Sequence, residues 1–319
     1  VVYLCLLTYL TSPASAQGLS SIPGVFAEIR VGARAASLGY TGTASQRGAH
    51  ALGWNPAGIN PVDGLELTFS YIDQLESIEY GHVAVAFPVI AGRSALALSA
   101  QFSGDDALME GSLQLAYAHR IRFLWLGVGA SFRRAVYGRN SLSASDYVVF
   151  DPDEIAEGLS RQVRGSANGY SIEAGLTLRL TDDLTYGVSA RNISAPLFWK
   201  SSSDIRPEVK SYSESVPFEL ATGIHYELSD RLSGSLEWVP PLASDAGGRI
   251  GFGASFAPVD VISFQAGRLI LQDGFSNEVS TFGFGVRAPS SMGLRLRADY
   301  AYVSSDIART QQITLTVGL

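Results

Sequence analysis

From Leu65 onward the chain alternates apolar and polar residues with a period of two. That period marks a strand with two unlike faces, because successive side chains point to opposite sides of an extended backbone. In Leu65–Tyr71 the residues Leu65, Leu67, Phe69 and Tyr71 share one face and Glu66, Thr68 and Ser70 the other. Ala95–Phe102 sets Leu96, Leu98, Ala100 and Phe102 against Ser99 and Gln101. Tyr170–Leu180 sets Ile172, Ala174, Leu176, Leu178 and Leu180 against Ser171, Glu173, Thr177 and Arg179. The pattern returns in Phe218–Leu228, Leu232–Trp238, Ile250–Phe256, Phe282–Arg287, Leu294–Tyr302 and Ile313–Leu319. It is noisier in Tyr80–Phe87, Leu113–Tyr117, Leu124–Phe132, Leu184–Ile193 and Ile262–Arg268. About fourteen strands are predicted, an even number, as in single-chain bacterial barrels.

The connections separate a barrel from a β-sandwich. Short turns follow every even-numbered strand, at Pro88–Gly92, His119–Phe123, Thr181–Asp183, Ser229–Arg231, Ala257–Asp260 and Ala288–Met292. Longer connections follow the odd ones, including Gly138–Asn168 and Ser194–Val216. Barrels whose hairpins face the periplasm at one end and the outside at the other produce this alternation; a Greek-key sandwich has no reason to. Aromatics near strand ends, among them Tyr71, Tyr117, Trp125, Tyr226, Trp238 and Tyr302, fit interfacial girdles. The expected fold is therefore all-β: a transmembrane antiparallel barrel of about 14 strands over residues 65–319.

Residues 17–64 do not alternate. They are rich in small residues and contain the turn-forming Asn55-Pro56. A segment of this length beside a wide barrel predicts an N-terminal hatch or plug inside the lumen; the alternative is a periplasmic leader without fixed structure. Residues 1–16 read as a signal peptide. Apolar Val1–Leu10 is followed by Pro13 and Ala14-Ser15-Ala16, which sets cleavage between Ala16 and Gln17. The one cysteine, Cys5, lies in this segment, so disulfides, thiolate metal sites and cysteine catalysis are excluded from the mature chain.

Hydrophobic residues make up 46% of the chain and charged residues only 17%. No apolar run beyond the first dozen positions reaches the roughly 18 residues a membrane helix needs, which again favours alternating strands. The formal net charge of −7 and the lack of a basic stripe argue against nucleic acid. The four histidines His50, His82, His119 and His225 lack metal-ligand spacing, so no metal or other cofactor is expected. Alternation turns His82, Glu173, Arg191, His225, Arg297 and Asp299 toward the lumen. Charge of both signs there points to ion-paired ladders rather than to a single-sign selectivity ring. A Ser–His–acid hydrolase is conceivable on geometry alone, but no G-x-S-x-G element is present. The acidic residues Asp146, Asp151, Asp153, Glu154 and Glu157 lack an EF-hand pattern and read as a solvated loop.

Two stretches carry a resemblance. Gly32-Ala33-Arg34-Ala35-Ala36-Ser37-Leu38-Gly39 followed by Trp54-Asn55-Pro56-Ala57-Gly58 resembles the paired signature of the long-chain fatty-acid transporter (FadL-like) barrels and the related PorV/PorQ-like outer-membrane proteins. Gly175-Leu176, Val216-Pro217-Phe218, Phe282-Gly283-Phe284-Gly285-Val286 and Asp299-Tyr300-Ala301-Tyr302 extend it over most of the mature chain, closer to the PorV/PorQ side. The resemblance implies a fourteen-stranded barrel with an N-terminal hatch, and makes Arg34, Trp54, Asn55 and Pro56 the hatch or ligand candidates. Arg34 is the expected pin between hatch and wall. Two positions depart from the pattern: the chain ends in Leu319 where many such barrels end in an aromatic, and Tyr40 stands where a small residue is usual.

The expected function is transport of hydrophobic or amphipathic compounds across the bacterial outer membrane, with membrane lipids and a hydrophobic small molecule as partners. This reading expects an apolar pocket beside the hatch. The alternative is a scaffold or shuttle for secreted proteins of the type IX kind, with apolar Phe198, Trp199 and Ile205 exposed on a long loop.

Overall fold

The computed structural model describes residues 29–59, 62, 64–76, 78–104, 108–138, 163–203, 209–242, 247–272, 278–289, 293–305 and 309–319. The expected signal peptide, residues 17–28 of the N-terminal segment, Ile205 and the acidic loop at 146–157 lie outside them.

Sixteen strands follow one another among the described residues. They are β1 (Glu66–Gln74), β2 (Ile78–Ile90), β3 (Ser94–Gly104), β4 (Leu108–Ile121), β5 (Leu124–Tyr137), β6 (Val163–Arg179), β7 (Leu184–Ser194) and β8 (Pro196–Ser203). After them come β9 (Lys210–Ser215), β10 (Glu219–Ser229), β11 (Leu232–Val239), β12 (Arg249–Val259), β13 (Ile262–Leu271), β14 (Glu278–Arg287), β15 (Arg295–Ser304) and β16 (Arg309–Gly318). All pairings are antiparallel; strands adjacent in the chain pair except β7 with β8 and β9 with β10, β16 returns to β1, and β7 skips two strands to pair with β10. The ring thus closes on fourteen strands, β1–β7 and β10–β16. Each of the fourteen predicted segments falls in one of them.

β8 and β9 stand outside the ring as a hairpin. The lower part of β6 pairs with β7 and its upper part, Val163–Gly169, with β8. The sequence reading of Ser194–Val216 as a plain loop is corrected here. Its expected exposed aromatics also divide: Phe198 is exposed, but Trp199 is buried, packed between Tyr137 and Tyr212 with ring centroids 6.0 Å away on each side.

Alternation sorts the wall residues. Outward lie Phe69, Leu98, Leu113, Leu126, Ile224, Leu236, Phe252, Phe282 and Ile313, all exposed. A continuous apolar outer belt of this kind belongs in hydrocarbon rather than water. No described helix is long and apolar enough to cross a membrane. Inward lie small and polar residues, many of them buried: Ser99, Ser131, Glu173, Ser189, Glu237, Thr281, Asp299 and Thr314.

What buries those inner residues is the chain before β1. Residues 29–59 run inside the ring as α1 (Ala33–Ser37) and two 3-10 turns, Gly48–Gly53 and Pro56–Ile59. α1 lies against β13–β16, and the second 3-10 turn against β3–β6. Glycines on the inner wall make the seats. A Cβ on Gly253 or Gly267 would collide with Leu38 and Gly39, one on Gly187 with Thr43, one on Gly127 with Pro56 and Ala57, and one on Gly175 with Asn55. Gly39 itself has φ +73, and its Cβ would strike two wall carbonyls, of Phe252 and Arg268. Only a residue without Cβ fits both demands. Apolar packing fills the rest: Leu52, Ile59 and Val62 pack on Ala84, Ala97 and Ala116, while Ala33 and Ala36 pack with Leu269, Val279 and Val303.

Candidate functional site

The interior segment is fastened to the wall by buried polar contacts centred on Glu237. Its Oε2 accepts the backbone N–H groups of Gly42 and Thr43, both at 2.8 Å, and its Oε1 accepts from Arg30 Nη1 at 3.4 Å. Arg30 also pairs with Glu219, which in turn pairs with Arg249 at 2.9 Å. The Arg30 guanidinium lies 4.8 Å from the centroid of the Trp54 ring, a cation–π arrangement strengthened by burial. Desolvation pulls Arg30 down to about 10, so it stays charged at neutral pH. This cation and both carboxylates are buried or nearly so; such clusters hold only when each charge is answered by another.

The three residues of the Trp-Asn-Pro turn are all buried in the interior segment. Trp54 is fully buried and its Nε1 donates to the carbonyl of Val31 at 2.8 Å. Asn55 donates through Nδ2 to the carbonyls of Thr43 (2.9 Å) and Leu176 (3.1 Å), and its Oδ1 accepts from the Ala57 N–H. It therefore ties two parts of the segment to β6. Pro56 is buried and opens the second 3-10 turn, where its missing N–H costs nothing.

Arg34 is different. Its side chain forms no ion pair or hydrogen bond among the described residues and lines a cavity instead, while its carbonyl accepts from Ser37 Oγ at 2.9 Å. The arginine that meets wall carboxylates is Arg30, four residues before the expected Arg34. Arg34 sits among small residues and Arg30 between Ile29 and Val31, and spacing alone does not say which meets a carboxylate.

The segment separates cavities whose linings share no residue. Toward the end bearing the long connections lies one of about 80 Å³, lined by His82, Gln114, Ser131, Glu173 and Arg191 beside the apolar cluster of Ile29, Val31 and Tyr80. Toward the short turns lie two more. One of about 320 Å³ is lined by Arg34, His225, Arg287 and Arg297, and another of about 550 Å³ by Arg47, Trp125 and Arg179. The lumen candidates are thus split. His82, Glu173 and Arg191 face the upper cavity, with Glu173 accepting from Gln114 Nε2 at 2.7 Å. His225 and Arg297 face a lower one, where Asp299 takes both hydrogen bonds of the Arg297 guanidinium at 2.7 Å. The two residues stand two positions apart on the inner face of β15. The upper cavity is neither purely apolar nor uniformly polar.

His225 also meets a serine and an acid. Its Nδ1 is 2.9 Å from Ser235 Oγ and its Nε2 is 3.9 Å from Glu227. Ser235 is the direct cross-strand partner of His225, and the carboxylate is beyond hydrogen-bond reach. The contact is accounted for as a wall hydrogen bond. No group of three metal-ligating side chains exists among the described residues.

No protein-family model matches this chain, and no curated protein does. Solved structures match over nearly its whole length. The monoaromatic hydrocarbon channel CymD aligns with a TM-score of 0.59 at 16% identity, covering 92% of this chain and 97% of its own. The Ralstonia pickettii toluene transporter TbuX aligns at 0.57 and 15%, covering 92% and 98%. A Pseudomonas aeruginosa FadL homologue aligns at 0.59 and 13%, covering 90% and 97%. At these identities the likeness establishes a shared barrel fold.

Proposed function

We propose that this chain is a bacterial outer-membrane barrel that passes hydrophobic or amphipathic compounds, with residues 17–64 serving as its hatch. The observation carrying the proposal is the interior segment itself, which divides an upper cavity bordered by Ile29, Val31 and Tyr80 from the lower cavities. A divided lumen needs a movable divider to conduct. The apolar outer belt supports a membrane location. The solved barrels of the same fold include a hydrocarbon channel and a toluene transporter, which supports a small apolar cargo. Gentle extraction from outer membranes, native mass spectrometry and lipid analysis test this. A co-purifying amphiphile or hydrocarbon, together with faster toluene uptake by cells carrying the chain, is expected. An empty lumen with unchanged uptake would overturn the proposal.

A second reading, a scaffold for secreted proteins, follows from the PorV/PorQ-like resemblance and is favoured by the hairpin β8–β9, beside which Val209 is 62% exposed. Co-purifying protein that is lost with residues 196–215 is its expected sign.

A further inference from the structure

The outer surface near the long-connection end carries a cationic patch. Along β5, β6 and β8 the outward residues follow one order. Moving toward that end, Phe132 is followed by Arg134 on β5, Tyr170 by Asn168, Ser166 and Arg164 on β6, and Phe198 by Lys200 on β8. Register places these on one face of adjacent strands: Phe132 opposite Tyr170, Arg134 opposite Asn168, Asn168 opposite Phe198, and Lys200 opposite Ser166. Arg164 and Lys200 are diagonal neighbours, roughly 7 Å apart at Cβ. The three aromatics are about half exposed, and the three cations are exposed.

Among the described residues no carboxylate shares this face. Glu110 and Glu214 lie on neighbouring strands but pair with Ala135 and Leu197, which point the other way, and Glu214 accepts from Trp199. The β9 positions that continue the outer face are Ser211 and Ser213, opposite Lys200 and Phe198. In a chain of net charge −7, three cations whose polar neighbours on this face, among the described residues, are hydroxyls and an amide mark a surface complementary to an anion. The aromatics on their membrane side mark a surface suited to acyl chains.

We infer that this patch binds the phosphorylated headgroup of an outer-leaflet glycolipid. Arg134, Arg164 and Lys200 answer its phosphates, Asn168 and the serines its sugar hydroxyls, and Phe132, Tyr170 and Phe198 its chains. Arginine suits phosphate because its planar fork donates two hydrogen bonds at once. The inference uses the membrane location but not transport, so failure of either leaves the other standing.

The test uses the full barrel in phosphatidylcholine nanodiscs, titrated with diphosphorylated lipid A, with the same lipid stripped of its phosphates, and with inorganic phosphate. Native mass spectrometry counts bound lipid. The phosphorylated lipid is expected to bind at least tenfold more tightly than the stripped one, with the preference shrinking as salt rises. In R134Q/R164Q/K200Q it should fall at least tenfold while heat-modified gel migration stays that of a folded barrel. If that variant does not fold, K200Q alone and the salt titration of the unaltered chain decide. Equal binding of the two lipids, or a preference untouched by the substitutions, overturns the inference. Full competition by millimolar inorganic phosphate would also overturn it, since the site would then hold any small anion.

Discussion

Arg30 and Glu237 lie 207 residues apart in sequence and meet inside the ring, where the same carboxylate also holds the backbone of Gly42 and Thr43. One wall residue therefore fixes two points of the interior segment. Removing one partner of a buried pair costs about 3–5 kcal/mol, because the other charge is left unanswered. Glu237→Gln is expected to raise amide exchange at Gly42 and Thr43 by roughly a hundredfold or more. The barrel strands should keep their protection. Unchanged exchange would show that the segment does not depend on this carboxylate.

Arg30 and Arg34 should part ways on substitution. Arg30→Gln removes the counter-charge of Glu219 and Glu237 and the stacking on Trp54. Arg34→Ala removes no ion pair and opens a cavity already present. Protease resistance of the interior segment should drop sharply for the first. For the second the drop should be clearly smaller, because no ion pair is lost with it. Equal loss in both would restore Arg34 as a pin.

The glycine seats give a prediction about the wall. A side chain at Gly175 would enter the space of Asn55 Oδ1, and one at Gly253 would come within 2.6 Å of the Leu38 carbonyl. Gly175→Val and Gly253→Val keep strand propensity but fill the seat. Heat-modified migration on gels should still report a folded barrel, while hydrogen exchange across residues 33–58 rises at least tenfold. Protection equal to that of the unaltered chain would mean that the segment can shift its path.

The barrel was legible because a period of two, repeated fourteen times, needs no tertiary information. β8 and β9 were not. In Pro196–Ser203 apolar residues occupy both faces, Leu197 and Trp199 inward against Phe198 outward, and β9 offers Tyr212 alone among serines and charges. Such strands take their identity from the neighbour they join, here the upper part of β6. Asn55-Pro56 stood out as a turn signal inside a stretch of small residues, and the family resemblance singled out Trp54 with them. The role of Arg30 was hidden because it depends on where Glu219 and Glu237 come round the ring. Likewise the wall glycines read as weak strand positions until the segment lying on them is seen.

His50 should make the interior segment sensitive to acid. Its Nε2 lies 2.7 Å from Thr316 Oγ1, and desolvation by burial pulls its pKa from 6.5 down to about 4. The released segment binds a proton more readily than the docked one between those values, so docking weakens as pH falls from 6.5 toward 4. Below about 4 both states are protonated and the loss levels off. The contribution is about 1–3 kcal/mol. Amide exchange of residues 48–53 compared at pH 7.5 and 4.5 measures it after correction for intrinsic rates. His50→Gln should flatten the dependence. A dependence that persists in that variant belongs to another group.

Trp199 decides whether the hairpin β8–β9 is an independent unit. It is buried between Tyr137 of β5 and Tyr212 of β9 and donates to Glu214 at 2.6 Å. Its apolar neighbours Ala135, Ala167 and Leu197 form a cluster separate from those under the interior segment. Trp199→Ala should cost about 3–5 kcal/mol locally, yet β8 and β9 lie outside the closed ring. The hairpin is therefore expected to become protease-sensitive near residue 203 while the heat stability of the barrel changes little. If the barrel's unfolding temperature falls with it, the upper part of β6 depends on the hairpin for its edge, and the ring and hairpin fold as one. If only the hairpin opens, loss of β8–β9 can be used to test partner capture without disturbing the lumen.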